Sequence, residues 1–574
     1  MEDLESFLQN LSQVDATYVG VFLCVLRYLA PVLAAVLLWR CLKPLVAFKR
    51  QPEIWGWLTG DDGSRNALTH WENIVGRSKS CDIVIDFPTV SRNHAVLTRY
   101  DDGSWSITDA GSKSGTQVNG ENVKICALQP DDVINIGGLN MTLTPITEKQ
   151  EQLQAKLRTH GSALANVGNL LLLTVFQALV CLAFLVTSEA EYLENLLWGF
   201  GGIVACQWAL MIFYLCIKRS AFEVETVAFF LCTMGMAVIA TVIPRDIVKQ
   251  LIALVLGVGL YLAVGWSLRD LSDRARVCRY IATALGLGFL IFTLLFGREQ
   301  NGAKAWIRVA GMNLQPSELS KVCFVYAGAS TMDRLLQKRN LILFIAYSVM
   351  ICGCLALMND FGTALVFFVA FLIIAFMRSG SVGTVGLACT ALGFAGVIAV
   401  KIAPHALRRF ASWRQIWSDP MGAGYQQTRA LMCMAAGGLF GLGANQGKLK
   451  GYFAADSDIV FATITEEWGL LLAVLLVLAV VALAAFSIRS AGVCRSSFYA
   501  IGACTAAAIM LAQTILNCLG TLDVLPFTGV TFPFLSNGGS SMMGAWGLLA
   551  FIKAADTRQN ASFAVRAVRK EENV

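Results

Sequence analysis

Long apolar runs dominate the chain, and one stretch with a different period interrupts them. Runs of roughly twenty apolar residues, enough to cross a bilayer as helix, predict about thirteen spans. The first covers about 17 to 39, the next two 164 to 187 and 195 to 217, and a block of about ten follows from 222 to 555. Residues 54 to 146 read instead as short alternating segments, among them CDIVIDF, HAVLTRY, SWSITD and VINIGGLNMTL, separated by Gly, Asp and Asn. A period of two with frequent turn residues predicts an all-β sandwich. The expected fold is a polytopic α-helical membrane protein with an inserted sandwich. Its expected parts are a transmembrane anchor (1-50), the sandwich (51-148), a linker with two extra spans (149-220), a ten-span core (221-556) and a basic tail (557-574).

Composition agrees with that class: of 574 residues, 56% are hydrophobic and only 15% are charged, which excludes an ordinary soluble core. The acidic start MEDLESFLQN lacks the basic region of a signal peptide, so the first run is expected to be retained as a span. Basic residues gather in turns that alternation places on one side: Arg40 to Arg50, Lys218 and Arg219, Arg269 to Arg279, Arg334 to Arg339, and Arg489 with Arg495. The positive-inside rule then puts the sandwich and the C-terminus in the cytoplasm and the N-terminus outside. These charges read as topology signals, and no nucleic-acid partner is expected. Seventeen cysteines lie mostly within apolar runs, and four scattered histidines show no ligand spacing, so neither a disulfide framework nor a structural metal site is predicted.

With that topology, segments 297 to 317, 402 to 458 and 523 to 537 share the outer face. Glu318 and Lys321 stand there at the mouth of a span, three residues apart and on one helical face, with Gln315 and Pro316 opening the helix. Charges so placed mark a site or form an ordinary ion pair. Glu466 and Glu467 are expected to stabilise packing or a cavity rim. The glycines of AAGGLFGLGANQG fit either a bend toward substrate or close helix packing. Gly538 and Gly539 are expected to break the start of the last span.

Within the sandwich, GRSKSCDIVI, SRNHAVL, SGTQVNG and DDVINIG stand in the order found in forkhead-associated (FHA) domains, which this segment resembles. The resemblance implies binding of a phosphothreonine-containing protein, with phosphate contacts on Arg77, Ser91 and Arg92 and loop support from His94. Arginine and hydroxyl donors suit that ligand. Ser114 stands where Asn often holds the peptide backbone. Asn119 and Gly120 read as a hairpin turn.

From about 222 to 555 the chain resembles the SEDS family of peptidoglycan polymerases, the FtsW/RodA/SpoVE group. The resemblance is carried by NGAKAWI with QPSELSK, NDFGTALV, DPMGAGYQQTRALMCMAAGGLFGLG, SDIVFATITEEWG and NCLGTLDVLPFTGVTFPFLSNGGSS. It implies a glycosyltransferase of the bacterial plasma membrane that polymerises lipid II for division or cell shape. It places the catalytic aspartate at Asp458, with Glu318 and Lys321 lining the same cavity, and substrate contacts at Lys304, Trp306, Arg308, Gln315, Ser536 and Ser540. Among the cations, Lys321 is the expected diphosphate contact. The neutral neighbours of Asp458 would raise its pKa and make it a better base. A class B penicillin-binding protein is the implied partner. No cofactor is required, although a divalent cation at the diphosphate is compatible. A lipid-linked sugar flippase and a catalytically silent, FHA-regulated scaffold are the competing readings. The chain departs from the family pattern at Asn359, where proline is usual, at Ala305, where arginine often stands, and in YFAAD with Ser457 before Asp458, where Pro-Glu and Thr are usual.

Overall fold

The computed structural model describes residues 16–46, 53–79, 81–100, 103–147, 149–150, 153–154, 163–269, 274–300, 302–309, 312–332, 338–379, 382–402, 404–558 and 561–562. The acidic start, Lys49, Arg50, Arg334 and the tail cations Arg566, Arg569 and Lys570 lie outside the described residues.

One long helix, α1 (Ala16–Val46), precedes the sandwich. The strands are β1 (Gly56–Gly60), β2 (Arg65–Leu68), β3 (Glu72–Gly76), β4 (Ile83–Val84), β5 (Ala95–Arg99), β6 (Trp105–Asp109), β7 (Thr116–Val118), β8 (Glu121–Val123), β9 (Ile125–Leu128), β10 (Val133–Ile136) and β11 (Leu139–Pro145). They form two sheets, ordered β2-β1-β11-β10-β7-β8 and β4-β3-β5-β6-β9. Alternate residues point inward as the pleat demands, and Leu58, Val75, Leu97, Ile107, Ile134 and Ile136 close the core between the sheets. Asn119 and Gly120 have φ of 52° and 86° with Val118 opposite Glu121, the left-handed pair a tight hairpin requires.

The helices that follow are α2 (Ala163–Thr187), α3 (Leu193–Cys216), α4 (Glu223–Val242), α5 (Ile247–Ser267) and α6 (Arg274–Phe296). A three-stranded antiparallel sheet, β12 (Arg298–Gln300), β13 (Ala303–Val309) and β14 (Met312–Leu314), leads into α7 (Pro316–Met332). Then come α8 (Lys338–Leu357), α9 (Phe361–Ser379), α10 (Val382–Ile402), α11 (Pro404–Ser412), α12 (Tyr425–Gly437), α13 (Val460–Ala491), α14 (Ser497–Thr521) and α15 (Gly539–Ala554). Among the described residues, nine helices are long and apolar enough to cross a membrane. Six of these nine, α4, α5, α6, α9, α13 and α14, lie in the expected core, and α7, α8, α10 and α15 stand where its other spans are expected. Of these, α7 and α15 have only 17 and 16 residues because each begins at the floor of a pocket rather than at a bilayer surface.

The chain's apolar helix α4 is buried on every side and forms the axis of the bundle. Glu223 and Glu225 at its start would be prohibitively costly there unpaired. Glu225 meets Lys553 at 3.1 Å and the hydroxyl of Tyr214 at 2.6 Å, while Glu223 meets Arg558 at 3.0 Å. This network pins the end of α15 to the axis.

Helix α13 is broken at Gly469, whose φ of 87° is open to glycine and strained for other residues. The break frees main-chain groups, and the glycine run satisfies them. Leu442 and Gly443 donate to Glu466 O and Glu467 O at 2.8 and 2.9 Å, and Leu470 and Leu471 donate to Gly438 O and Leu439 O at 3.0 and 3.2 Å. Irregular backbone at membrane depth survives when packed in protein this way. The carboxylates of Glu466 and Glu467 accept from the main chain of Leu449 at 2.9 Å and Gly447 at 3.2 Å, so both hold this loop in place.

Candidate functional site

A cavity of about 360 Å³ opens at the end of the bundle where α13 starts. Asp458 lies two residues before that helix, on a turn fixed by Ala454, whose carbonyl accepts the N–H groups of Ser457, Asp458 and Ile459 at 3.3, 3.1 and 3.2 Å. Ala454 itself sits at φ 59°, a strained conformation of the kind that clusters at functional sites. The main chain of Asp458 is held from α14, where Asn517 Nδ2 donates to its carbonyl at 2.9 Å. Gly529, at φ 67°, lets the backbone approach so closely that a methyl group there would meet Asp458 Oδ2 at 3.2 Å. Burial pushes the Asp458 carboxyl up to about 7; a hydrogen bond from Ser457 and the charge of Arg409 oppose the shift, and Asp456 and Asp360 add to it.

Around it stand Asp456, held by Asn537 at 2.7 Å, and Asp360, which accepts from Gln315 Nε2 at 3.0 Å. Trp306 adds an aromatic wall. Two cations complete the lining. Arg409 on the short helix α11 donates to Thr528 O at 3.0 Å, and Lys249 pairs with Asp246 at 2.6 Å. Among the described residues, no group of three or more His, Cys, Asp or Glu side chains is placed to hold a metal ion.

Of the residues expected at the site, Asp458, Trp306 and Gln315 line the cavity together. Others do not. Lys321 and Glu318 are buried beneath it as an ion pair of 2.7 Å, so Lys321 is not the cation presented to a ligand. Lys304 turns back to donate to Leu294 O at 2.8 Å, satisfying a carbonyl in the last turn of α6, and Arg308 is exposed on β13 away from the lining. Ser536 bridges Phe532 N and Ser457 O at 2.8 and 2.7 Å, and Ser540 accepts from Gln315 N at 2.8 Å. Both hydroxyls brace the floor rather than face the cavity. Sequence reasoning missed Lys249 and Arg409. The amphipathic segment PHALRRF was the available signal for Arg409, but its contact with Thr528 depends on tertiary folding.

At one end of the sandwich, the loops after β3, β4 and β6 converge. The Arg77 amide donates to Ser91 O at 3.0 Å, Ser78 N to Arg92 O at 3.0 Å, and Lys113 N to Ser91 Oγ at 2.9 Å. His94 accepts from Ser91 N at 3.2 Å through Nδ1, so Nε2 carries the proton that it gives to Gly115 O at 3.1 Å. Ser114 donates to Thr89 O at 3.1 Å, closing the gap between loops. Arg77 and Arg92 remain exposed, and the four expected contacts thus share one surface.

The opposite end of β3 docks on the helical bundle. Glu72 accepts from Ser496 Oγ and Ser497 N at 3.0 and 3.1 Å, capping α14, while Glu53 pairs with Arg495 at 3.0 Å and His70 Nδ1 contacts Cys494 O at 2.8 Å. The sandwich is thus seated directly on the α13–α14 turn.

Such a bundle, with an acidic cavity at one end and a loop-bearing sandwich at the other, defines a multi-span membrane protein joined to a phosphopeptide-type recognition module. Residues 227–560 match the FtsW/RodA/SpoVE cell cycle protein family, and the chain belongs to that family. Residues 73–137 match the FHA domain, which implies a phosphoprotein partner. The chain is 30% identical over 325 residues to the peptidoglycan glycosyltransferase RodA of Mycobacterium tuberculosis, covering 53% of this chain and 69% of that one. It is 33% identical to a probable peptidoglycan glycosyltransferase FtsW of Tolumonas auensis, covering 54% and 82%. A solved structure concerned with polymerization and crosslinking by a peptidoglycan synthase complex is 25% identical, covering 58% of this chain and 96% of that one with a TM-score of 0.48.

Proposed function

We propose that the protein is a peptidoglycan glycosyltransferase that polymerises lipid II at the Asp458 cavity, under the control of a cytoplasmic FHA domain. The observation that carries this reading is a single carboxylate held near neutrality in a cavity that also offers Arg409 and Lys249. Asp458 takes the proton of the acceptor sugar hydroxyl as that oxygen bonds to the donor's anomeric carbon. The bond from that carbon to the lipid diphosphate breaks, and its electron pair leaves on the diphosphate with inversion at carbon. Arg409 and Lys249 stabilise the departing charge, and Trp306 provides a face for a sugar ring. Glu318 and Lys321 are positioning residues that fix the start of α7 and hence Gln315. A divalent cation carried on the diphosphate would add positive charge beside Arg409 and Lys249. The glycosyltransferase names of the relatives favour polymerisation over transport or a silent scaffold.

The cavity faces outward and the sandwich inward, with a class B penicillin-binding protein as the cross-linking partner. Polymerisation of labelled lipid II by the full chain co-expressed with such a partner tests the reading. Asp458→Asn is expected to lower the rate by about a hundredfold or more; strands made at the wild-type rate would reject Asp458 as the base. Arg77→Ala is expected to abolish phosphothreonine-peptide binding with polymerisation unchanged.

A further inference from the structure

At the sandwich-bearing end, a second cavity of about 530 Å³ opens on the bundle's outer wall between the ends of α3 and α5. Its walls are apolar, formed by Phe213 and Ile217 on one side and Leu262 and Trp266 on the other, and its rim carries Arg219 and Arg269. Phe213 and Trp266 are 41% and 60% exposed, on helices that cross the membrane, so their natural neighbour is a lipid chain.

The rim is built rather than incidental. After α3, Lys218 adopts φ 57°, donating to Leu215 O at 3.0 Å, and Arg219 N donates to Tyr214 O at 2.8 Å. That double closure of a helix end normally uses glycine at the left-handed position, and here it turns Arg219 back against the bundle, where it is 8% exposed. The ends of α3 and α5 supply only about half a negative charge each, which accounts for one nearby cation apiece. Arg219 is more crowded than that. Burial first, and then the like charges of Arg269 and Arg495, hold its guanidinium below the usual arginine range. Arg495 is in turn engaged by Glu53 at 3.0 Å.

We propose that this groove binds an anionic glycerophospholipid, its phosphate between Arg219 and Arg269 and one acyl chain along Phe213, Leu262 and Trp266. A phosphate relieves the repulsion between the arginines, and only an attached chain covers the apolar walls. The indole of Trp266 takes the interfacial position aromatic residues favour. One wall lies outside residues 227–560 and the other within them, so the site sits at the seam between the extra spans and the family core.

Native mass spectrometry of the delipidated full chain in detergent, titrated separately with dioleoyl phosphatidylglycerol, dioleoyl phosphatidylcholine and glycerol 3-phosphate, tests the assignment. Phosphatidylglycerol should be retained at concentrations where the other two are not. Arg269→Gln should lower its occupancy about fivefold, the loss expected for one basic residue, whereas Arg269→Lys keeps most of it. Ala263→Trp, which fills the groove with both arginines intact, should also lose the lipid. Both positions are exposed, so neither change disturbs the packed core. Equal retention of the two lipids, retention of glycerol 3-phosphate, or unaltered binding in both Arg269→Gln and Ala263→Trp would overturn the proposal.

Discussion

Asp458 shows how a single side chain can be tuned against the stability of the fold that holds it. Its carboxyl titrates at about 7, and only the ionised form accepts a proton, so polymerisation should rise as pH passes upward through about 7. Arg409→Gln removes a charge that favours ionisation and should move that midpoint to higher pH, which a pH profile of kcat/KM reads directly. Linkage gives the opposite sign for stability. The raised pKa means the folded state holds the proton more tightly than the unfolded chain, so stability is lost as pH climbs from about 4 to about 7. Asp458→Asn should therefore melt higher than wild type at pH 8, by an advantage that shrinks below neutrality and vanishes near pH 4. Asp458, Trp306 and Gln315 were legible in sequence because motif position sufficed to place them. Lys249 and Arg409 were not, since their placement depends on α5 and α11 converging from distant parts of the chain. The departure at Asn359 also has a backbone cause. Its φ of 59° is closed to proline, which is fixed near −65°.

At the scale of elements, hydrophobic period located the helices and strands well, and the errors fell where helices start or break inside the bundle. A run such as α13 reads as one continuous apolar span, yet it is interrupted at Gly469, and the interruption is stable only because the glycine run inserts its main chain alongside. Nothing in the local period announces that pairing. Close packing, one of the two readings compatible with the glycines, is what the backbone distances reveal. A methyl at Gly441 would stand 2.1 Å from Glu467 O, and φ there is already +82°. Gly441→Ala should cost about 2–4 kcal/mol through combined clash and strain, seen as a fall in folded yield and melting temperature. Gly451→Ala meets nothing within 4 Å and should lie within about 0.5 kcal/mol of wild type. Equal behaviour of the two variants would remove the glycine run from the support of the broken helix.

Across the whole molecule, α13 is the physical link between the two functional ends, with Asp458 just before its first residue and Arg495 just after its last. Beyond the break at Gly469, the 22 residues from Leu470 to Ala491 carry that connection about 33 Å at about 1.5 Å per residue. On the sandwich side, β3 gives a second short link, since Glu72 at its start seats on α14 while Arg77 follows its end among the phosphopeptide loops. The proposed peptide contacts and the docking seat thus occupy opposite ends of one strand and do not compete for residues. The seat formed by Glu53, Glu72 and Arg495 is the direct contact through which influence on the bundle is expected to pass. The double variant Glu53→Gln, Glu72→Gln removes both charges from that seat and leaves the loops around Arg77 intact. Its affinity for a phosphothreonine peptide should stay within about twofold of wild type, since sites this far apart without shared partners act independently. Any change in lipid II polymerisation that the peptide causes in the wild-type chain should disappear in the variant. A peptide response that survives the double substitution would mean that the signal bypasses the α13–α14 turn and travels through the linker between sandwich and bundle instead.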